Sequence, residues 1–80
     1  MTRVHVQYYA IFREQAGASE EEVSTVAATA ADLYEELRHR HGFTLAADSL
    51  RAVVNEEFAE WDTPIDDGDR VVFIPPVAGG

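Results

Sequence analysis

At 80 residues the chain has length for one small domain. A domain of that size buries only about 60–65% of its unfolded surface, which excludes a pocket set inside a deep shell. Fifteen acids stand against six basic residues, all arginine, for a net charge of −9. That sign opposes nucleic-acid binding and favours approach to a basic protein surface.

Hydrophobic residues make up 46% of the chain, which argues for a folded core rather than disorder. The lack of cysteine removes disulfides and thiolate metal sites. With no apolar signal segment at the start, it points to a cytoplasmic protein. No apolar run approaches the roughly 18 residues a membrane span needs. Residues 1–40 carry a net −3 and residues 41–80 a net −6, so the second half is the more acidic.

Residues 4–12 alternate, with Val4, Val6, Tyr8, Ala10 and Phe12 on one side and His5, Gln7, Tyr9 and Ile11 on the other. This predicts a half-buried strand. Arg13 to Ala18 reads as a turn, and Glu21 to Ala27 as a second strand closing a hairpin. Thr29 caps a helix over 30–41, whose inner stripe is Ala30, Leu33, Tyr34, Leu37 and His41. Glu35–His39 and Glu36–Arg40 are spaced as pairs on its outer side, and Gly42 ends it. Phe43 to Ser49 is a connection, and Leu50 to Val54 a strand. Asn55-Glu56 makes a turn before a short edge piece, Glu57 to Trp61, in which Phe58 and Trp61 close the edge of the core. Asp66 to Asp69 forms a tight turn with Gly68 at positive φ. The apolar run Val71 to Ile74 suits a strand buried on both faces. Pro75 and Pro76, which lack amide hydrogens, stop it.

The order β-β-α-β-(β)-β, with a single helix to cover one side of a mixed sheet, is most economically an α+β fold of the ubiquitin-like β-grasp type. Four to five strands would pack on the helix. The domain spans 1–74 and leaves 75–80 as an extended tail. The uncovered side of the sheet would then show Tyr9, Ile11 and part of the last strand as a docking surface for a protein partner.

Chemistry within the body is not evident. His39 and His41 are two apart on a helix and do not face each other. The glutamates at 20–22 and the acids at 66–69 lack the register of a calcium loop and read as solvated turns. No serine has a paired histidine and acid, and no glycine loop could cradle a phosphate. The chain does not read as a catalyst on its own, and no metal or intrinsic cofactor is expected.

The ending is different. Pro75-Pro76-Val77-Ala78-Gly79-Gly80 places two residues without Cβ beside a terminal carboxylate. Six residues reach roughly 20 Å when extended, enough to enter a narrow tunnel on a partner. Were that carboxylate activated as an acyl-adenylate, a lysine near it, for instance by Arg70, would be acylated by mistake. The lack of lysine is compatible with an activated tail.

The stretches Val54-Asn55-Glu56, Pro64 to Val71 and Phe73 to Gly80 resemble the small, sulfur-carrier subunit of molybdopterin synthase, as do the opening strand and Phe12-Arg13-Glu14 closing with Gly17. The resemblance implies that an ATP-dependent activating enzyme adenylates Gly80 and that a sulfur donor then replaces AMP to leave a thiocarboxylate. It implies that Ile74, Pro75, Pro76, Val77 and Ala78 contact the partner as the tail enters the large synthase subunit, with Gly79 beside Gly80 at the reacting end, in an assembly of two small and two large subunits. Sulfur would pass there to cyclic pyranopterin monophosphate. Three other readings stay open: a carrier feeding thiamine, cysteine or tRNA thiolation, a ubiquitin-like modifier joined to lysines, and a passive interaction domain with an inert tail.

Overall fold

The computed structural model describes residues 1–76. Five strands form one sheet: β1 (Thr2–Tyr8), β2 (Glu20–Thr25), β3 (Arg51–Val54), β4 (Glu57–Ala59) and β5 (Arg70–Ile74). Their spatial order is β2-β1-β5-β3-β4, and only β1 and β5 run parallel among these neighbours. The helix α1 (Ile11–Ala16) links β1 to β2, and α2 (Ala30–His41) crosses between β2 and β3. This is the β-grasp arrangement expected from the sequence.

Alternation places Val4, Val6 and Tyr8 of β1, Val23 and Thr25 of β2, and Val71 and Phe73 of β5 on one buried face. Leu33, Tyr34 and Leu37 of α2 are fully buried against this face, at the spacing that keeps side chains on one side of a helix. Phe43, just past α2, joins an aromatic cluster with Tyr8, Phe12 and Tyr34, at centroid distances of 5.0–6.0 Å. Burying a side chain of this size stabilises the fold by about 1.5–3 kcal/mol each.

The ends of α2 show why it starts and stops where it does. Thr29 accepts a hydrogen bond from the Asp32 amide at 3.2 Å. The next free amides, on Ala30 and Ala31, donate to the carbonyls of Thr63 and Trp61, so the loop before β5 completes the helix N-terminus. Gly42 takes a left-handed φ of 73° and returns its amide to the Arg38 carbonyl. Of the two outer pairs expected, Glu36–Arg40 forms at 3.4 Å, while Glu35 pairs with Arg38 at 3.5 Å.

The first strand is shorter than its pattern suggests. β1 ends at Tyr8, and Ala10 turns the chain with φ 51° and ψ −125°. A residue with a Cβ holds that conformation at a cost of about 1–3 kcal/mol. Ile11 to Ala16, expected as the end of a strand and a turn, is helical and closes on Gly17 at φ 78°. Phe12 still reaches the core, but from α1 rather than from a strand.

The acidic segments are more structured than solvated turns. Asp69 accepts from the Asp66 amide at 2.8 Å and from the Asn55 side chain at 2.9 Å, while Asp67 accepts from the Arg3 amide at 2.8 Å. Gly68 holds φ 88° at the turn, as its sequence position predicts. Glu20 to Glu22 lie in β2, where Glu22 and Glu20 flank His5 at 3.0 and 3.4 Å.

Glu21 is the anchor of a polar cluster at the core's edge. Its Oε1 accepts from the Tyr8 hydroxyl at 2.6 Å and from His41 Nε2 at 2.9 Å, and Arg40 approaches Oε2 at 3.6 Å. Burial opposes the charge on Glu21, yet the hydrogen bonds from Tyr8 and His41 and the nearby positive groups outweigh it and hold its carboxyl below the usual value of 4.5. Burial, reinforced by Glu21, pushes the Tyr8 hydroxyl far above its ordinary range.

The carboxylate therefore favours the folded state at pH values above 4.5, and that contribution fades as acid protonates the native protein. Tyr8 has the opposite dependence: its contribution is full below pH 10 and declines in stronger base. Glu21→Gln is expected to cost about 1–3 kcal/mol at neutral pH and to flatten the acid limb of the stability profile. Urea titrations from pH 3 to 7 check this; an unchanged acid limb would remove Glu21 as its source.

Candidate functional site

β5 is the central strand, held between β1 and β3. Its last ladder partners are Tyr8 beside Phe73 and Arg51 opposite Ile74. Whatever follows Ile74 is thus rooted in a strand paired on both sides. Pro75 and Pro76 donate no ladder hydrogen bonds. Both line a shallow groove of about 680 Å³ at the tail root, together with Arg51, Phe58, Trp61 and Ile74. Val77, Ala78, Gly79 and Gly80, four of the expected site residues, lie outside the described residues.

The open face of the sheet is built by the other half of the strand alternation. Phe58 stands opposite Val53, Val53 opposite Val72, and Val72 beside Gln7, in one row across four strands. Val53 and Val72 are half-buried, whereas Phe58 is 73% exposed and Ile74 38% exposed. The Arg51 guanidinium carbon lies 5.9 Å from the Phe58 ring centroid, within the range of a cation–π contact. An apolar strip with a cationic margin therefore runs up to the tail root.

This corrects several expectations. Tyr9 and Ile11 do not lie on the open face of a first strand, because the strand ends before them. Tyr9 is exposed on the connection, and Ile11 begins α1 with its side chain packed against the core. The β5 run is buried on one face only: Val71 and Phe73 point toward α2, while Val72 and Ile74 face outward. Phe58 does not close the core, whereas Trp61 does, stacking on Phe73 at 6.0 Å with ring planes 10° apart.

Arg51, Val53 and Phe58 were missed as surface features. The signal was present in β3, where Arg51 and Val53 alternate with Ala52 and Val54. In β5 it was hidden, because every residue from Val71 to Ile74 is apolar.

Among the described residues, no group of three or more histidines and acids is arranged to hold a metal ion. No helix among them is long and apolar enough to cross a membrane. The Tyr8–Glu21–His41 cluster is internally satisfied and sits at the edge of the packed core.

Residues 6–80 match the ThiS family. The chain belongs to this family. The molybdopterin synthase sulfur carrier subunit of Escherichia coli K12 is 34% identical over 80 aligned residues, covering 96% of this chain and 99% of that protein. Among solved structures, a putative molybdopterin converting factor subunit 1 from Pyrococcus furiosus is 34% identical with a TM-score of 0.79, covering 96% of this chain and all of that one. A complex of subunits 1 and 2 of molybdopterin-converting factor from Helicobacter pylori contains a chain that is 21% identical with a TM-score of 0.68, over 99% of this chain and 100% of that one. At that identity the last likeness speaks for the fold. Family membership covers β5 and the Gly-Gly ending together.

Proposed function

We propose that this chain is the sulfur-carrying small subunit of a molybdopterin synthase. The observation that carries the proposal is the Pro-Pro-Val-Ala-Gly-Gly ending directly after the central strand of a ThiS-family fold, in a chain 34% identical to a sulfur carrier subunit over nearly its full length.

In this reading an activating enzyme uses ATP to convert the Gly80 carboxylate into an acyl-adenylate. A carboxylate is a poor acyl donor, and AMP supplies the leaving group it lacks. A sulfur donor then displaces AMP and leaves a thiocarboxylate, which keeps negative charge on a soft, nucleophilic sulfur. The absence of Cβ at Gly79 and Gly80 lets the activating enzyme approach the backbone closely. Val77 and Ala78 pack along a channel in the large subunit, while the globular body sets the depth of insertion. The large subunit supplies the cationic groups for the pterin phosphate. Two transfers build one dithiolene on cyclic pyranopterin monophosphate, so the carrier dissociates and reloads between them.

The strip formed by Val53, Phe58, Val72 and Ile74 is the surface on which this reading seats the body against its partner. It is continuous with the tail root and combines apolar area with one arginine. The Helicobacter complex of subunits 1 and 2 supports a large-subunit partner for the same fold, and two small with two large subunits is the assembly proposed.

Incubation with a molybdopterin-type activating enzyme, ATP and a sulfur source, followed by intact-mass analysis, tests the reading. Replacement of one oxygen by sulfur at the C-terminus is the expected product. Transfer of that sulfur to the pterin by the large subunit assigns the pathway. A thiocarboxylate that transfers only to thiamine, cysteine or tRNA precursors would move the chain to another carrier branch, and covalent adducts on lysines would make it a modifier.

A further inference from the structure

We infer that the open face of the sheet is built to receive acidic side chains: the partner surface seated on it carries carboxylates at both ends of an apolar patch. The inference rests on the large synthase subunit as the partner and names the chemistry its contact surface must present.

Strand alternation decides what this face shows. Its inner strands are β1, β5 and β3, and none of them contains an acid. Their outward positions carry Arg3 and His5 of β1, Arg70 and Val72 of β5, and Arg51 and Val53 of β3. Three of the six arginines thus stand on one face of a protein with fifteen acids. The net charge is the wrong guide to this surface. At physiological salt a charge is screened over about 8 Å, so docking contacts are governed by the groups on the face itself.

The register sets the spacing. Arg51 lies opposite Ile74, beside the tail root. Arg70 is four residues back along β5, about 13 Å at roughly 3.3 Å per residue. It pairs with His5, and Arg3 lies two residues further along β1. Val53 and Val72, opposite each other, fill the space between. The face is therefore an apolar centre with positive groups at both ends.

These guanidinium groups are not matched within the domain. Arg38 and Arg40 pair with Glu35, Glu36 and Glu21. Among the described residues, Arg3, Arg51 and Arg70 have no such acid partner. Asp67 and Asp69 are close in the chain but turn to other donors: the Arg3 amide for Asp67, and the Asp66 amide and Asn55 side chain for Asp69. Glu20 and Glu22, on the edge strand, are engaged with His5. A partner that covers the face takes the three guanidinium groups out of water, which is costly unless it supplies acceptors. Carboxylates meet that need with paired hydrogen bonds to the guanidinium fork, whereas a basic surface would be repelled.

Calorimetric titration of the full chain with the large subunit, at low and at high salt, tests this. Arg51→Glu and Arg70→Glu are each expected to weaken binding by about tenfold or more at low salt, because each sets like charges against one another. The deficit should shrink as salt is raised. Arg51→Gln and Arg70→Gln remove the charge without reversing it; they should fall between, and they serve where a Glu variant melts early. Were net charge in control, each added negative charge would instead tighten binding to a basic partner. Tighter or unchanged binding by the folded variants would overturn the inference. So would variants that bind the large subunit normally but are no longer adenylated, which would assign the face to the activating enzyme. Failure of the carrier reading shows separately, as absence of thiocarboxylate on the wild-type chain by intact mass.

Discussion

Deleting Gly80 is expected to leave the domain as stable as the parent and to reduce sulfur transfer by at least about 100-fold. Stability is unaffected because the last ladder pairings are made by Phe73 and Ile74, and Gly80 lies six residues beyond the end of β5. The chemical loss follows from the same fact. The body sets the origin of the tail, so removing one residue withdraws the carboxylate by about 3.3 Å. Misplacement by about 1 Å is already enough to cost an enzymatic reaction roughly 100-fold. The shortened chain still ends in glycine, at Gly79, so the comparison isolates reach from the chemistry of the terminal residue. Thermal melts of both proteins, intact mass after activation, and pterin turnover with the large subunit make the three readings. Normal turnover by the shortened chain would break the link between insertion depth and function.

Much of the fold was legible because local signals and burial agree. The α2 boundaries follow from Thr29 and Gly42, and both residues make the caps their types suggest. Gly68 marks the turn into β5 for a similar reason, since its φ of 88° suits a residue without Cβ. The opening strand was over-extended because alternation continues by coincidence through Ala10 and Phe12. Ala10 reverses the chain with a positive φ that its residue type does not advertise. Gly17 was the available clue to α1: a glycine following Phe12 and Ala16, which are spaced four apart, is a helix C-terminal signal as well as a turn signal.

The site was legible at its end and less so at its surface. The tail motif is local in sequence, so no tertiary information was needed to see it. The open face depends on which strands become neighbours. Val53 meets Phe58 through a hairpin and Val72 through a pairing some twenty residues distant. Phe58 also has the composition of a core residue, and only its pairing with Val53 shows that it lies on the face α2 does not cover. Tyr9 and Ile11 were placed on that face by an assumed strand, and the turn at Ala10 removes the assumption.

Phe73→Ala is expected to be the most damaging substitution in the body, with a loss of about 3–5 kcal/mol. Phe73 is fully buried in the central strand, makes an edge-to-face contact with Tyr34 at 5.0 Å, and stacks against Trp61 at 6.0 Å. Its removal opens a cavity where α2, β5 and the loop preceding β5 meet. Collapse of that cavity is resisted by the same loop that caps α2 through the Thr63 and Trp61 carbonyls. A domain of this length has a total stability of only about 4–12 kcal/mol, so the variant should melt at least about 15 °C lower or lose its cooperative transition. Because Ile74 and the tail root follow directly, sulfur transfer should fall as the unfolded fraction rises and recover when the assay is cooled toward the temperature of greatest stability. A variant that remains fully folded yet inactive would instead place Phe73 in partner recognition, which its complete burial argues against.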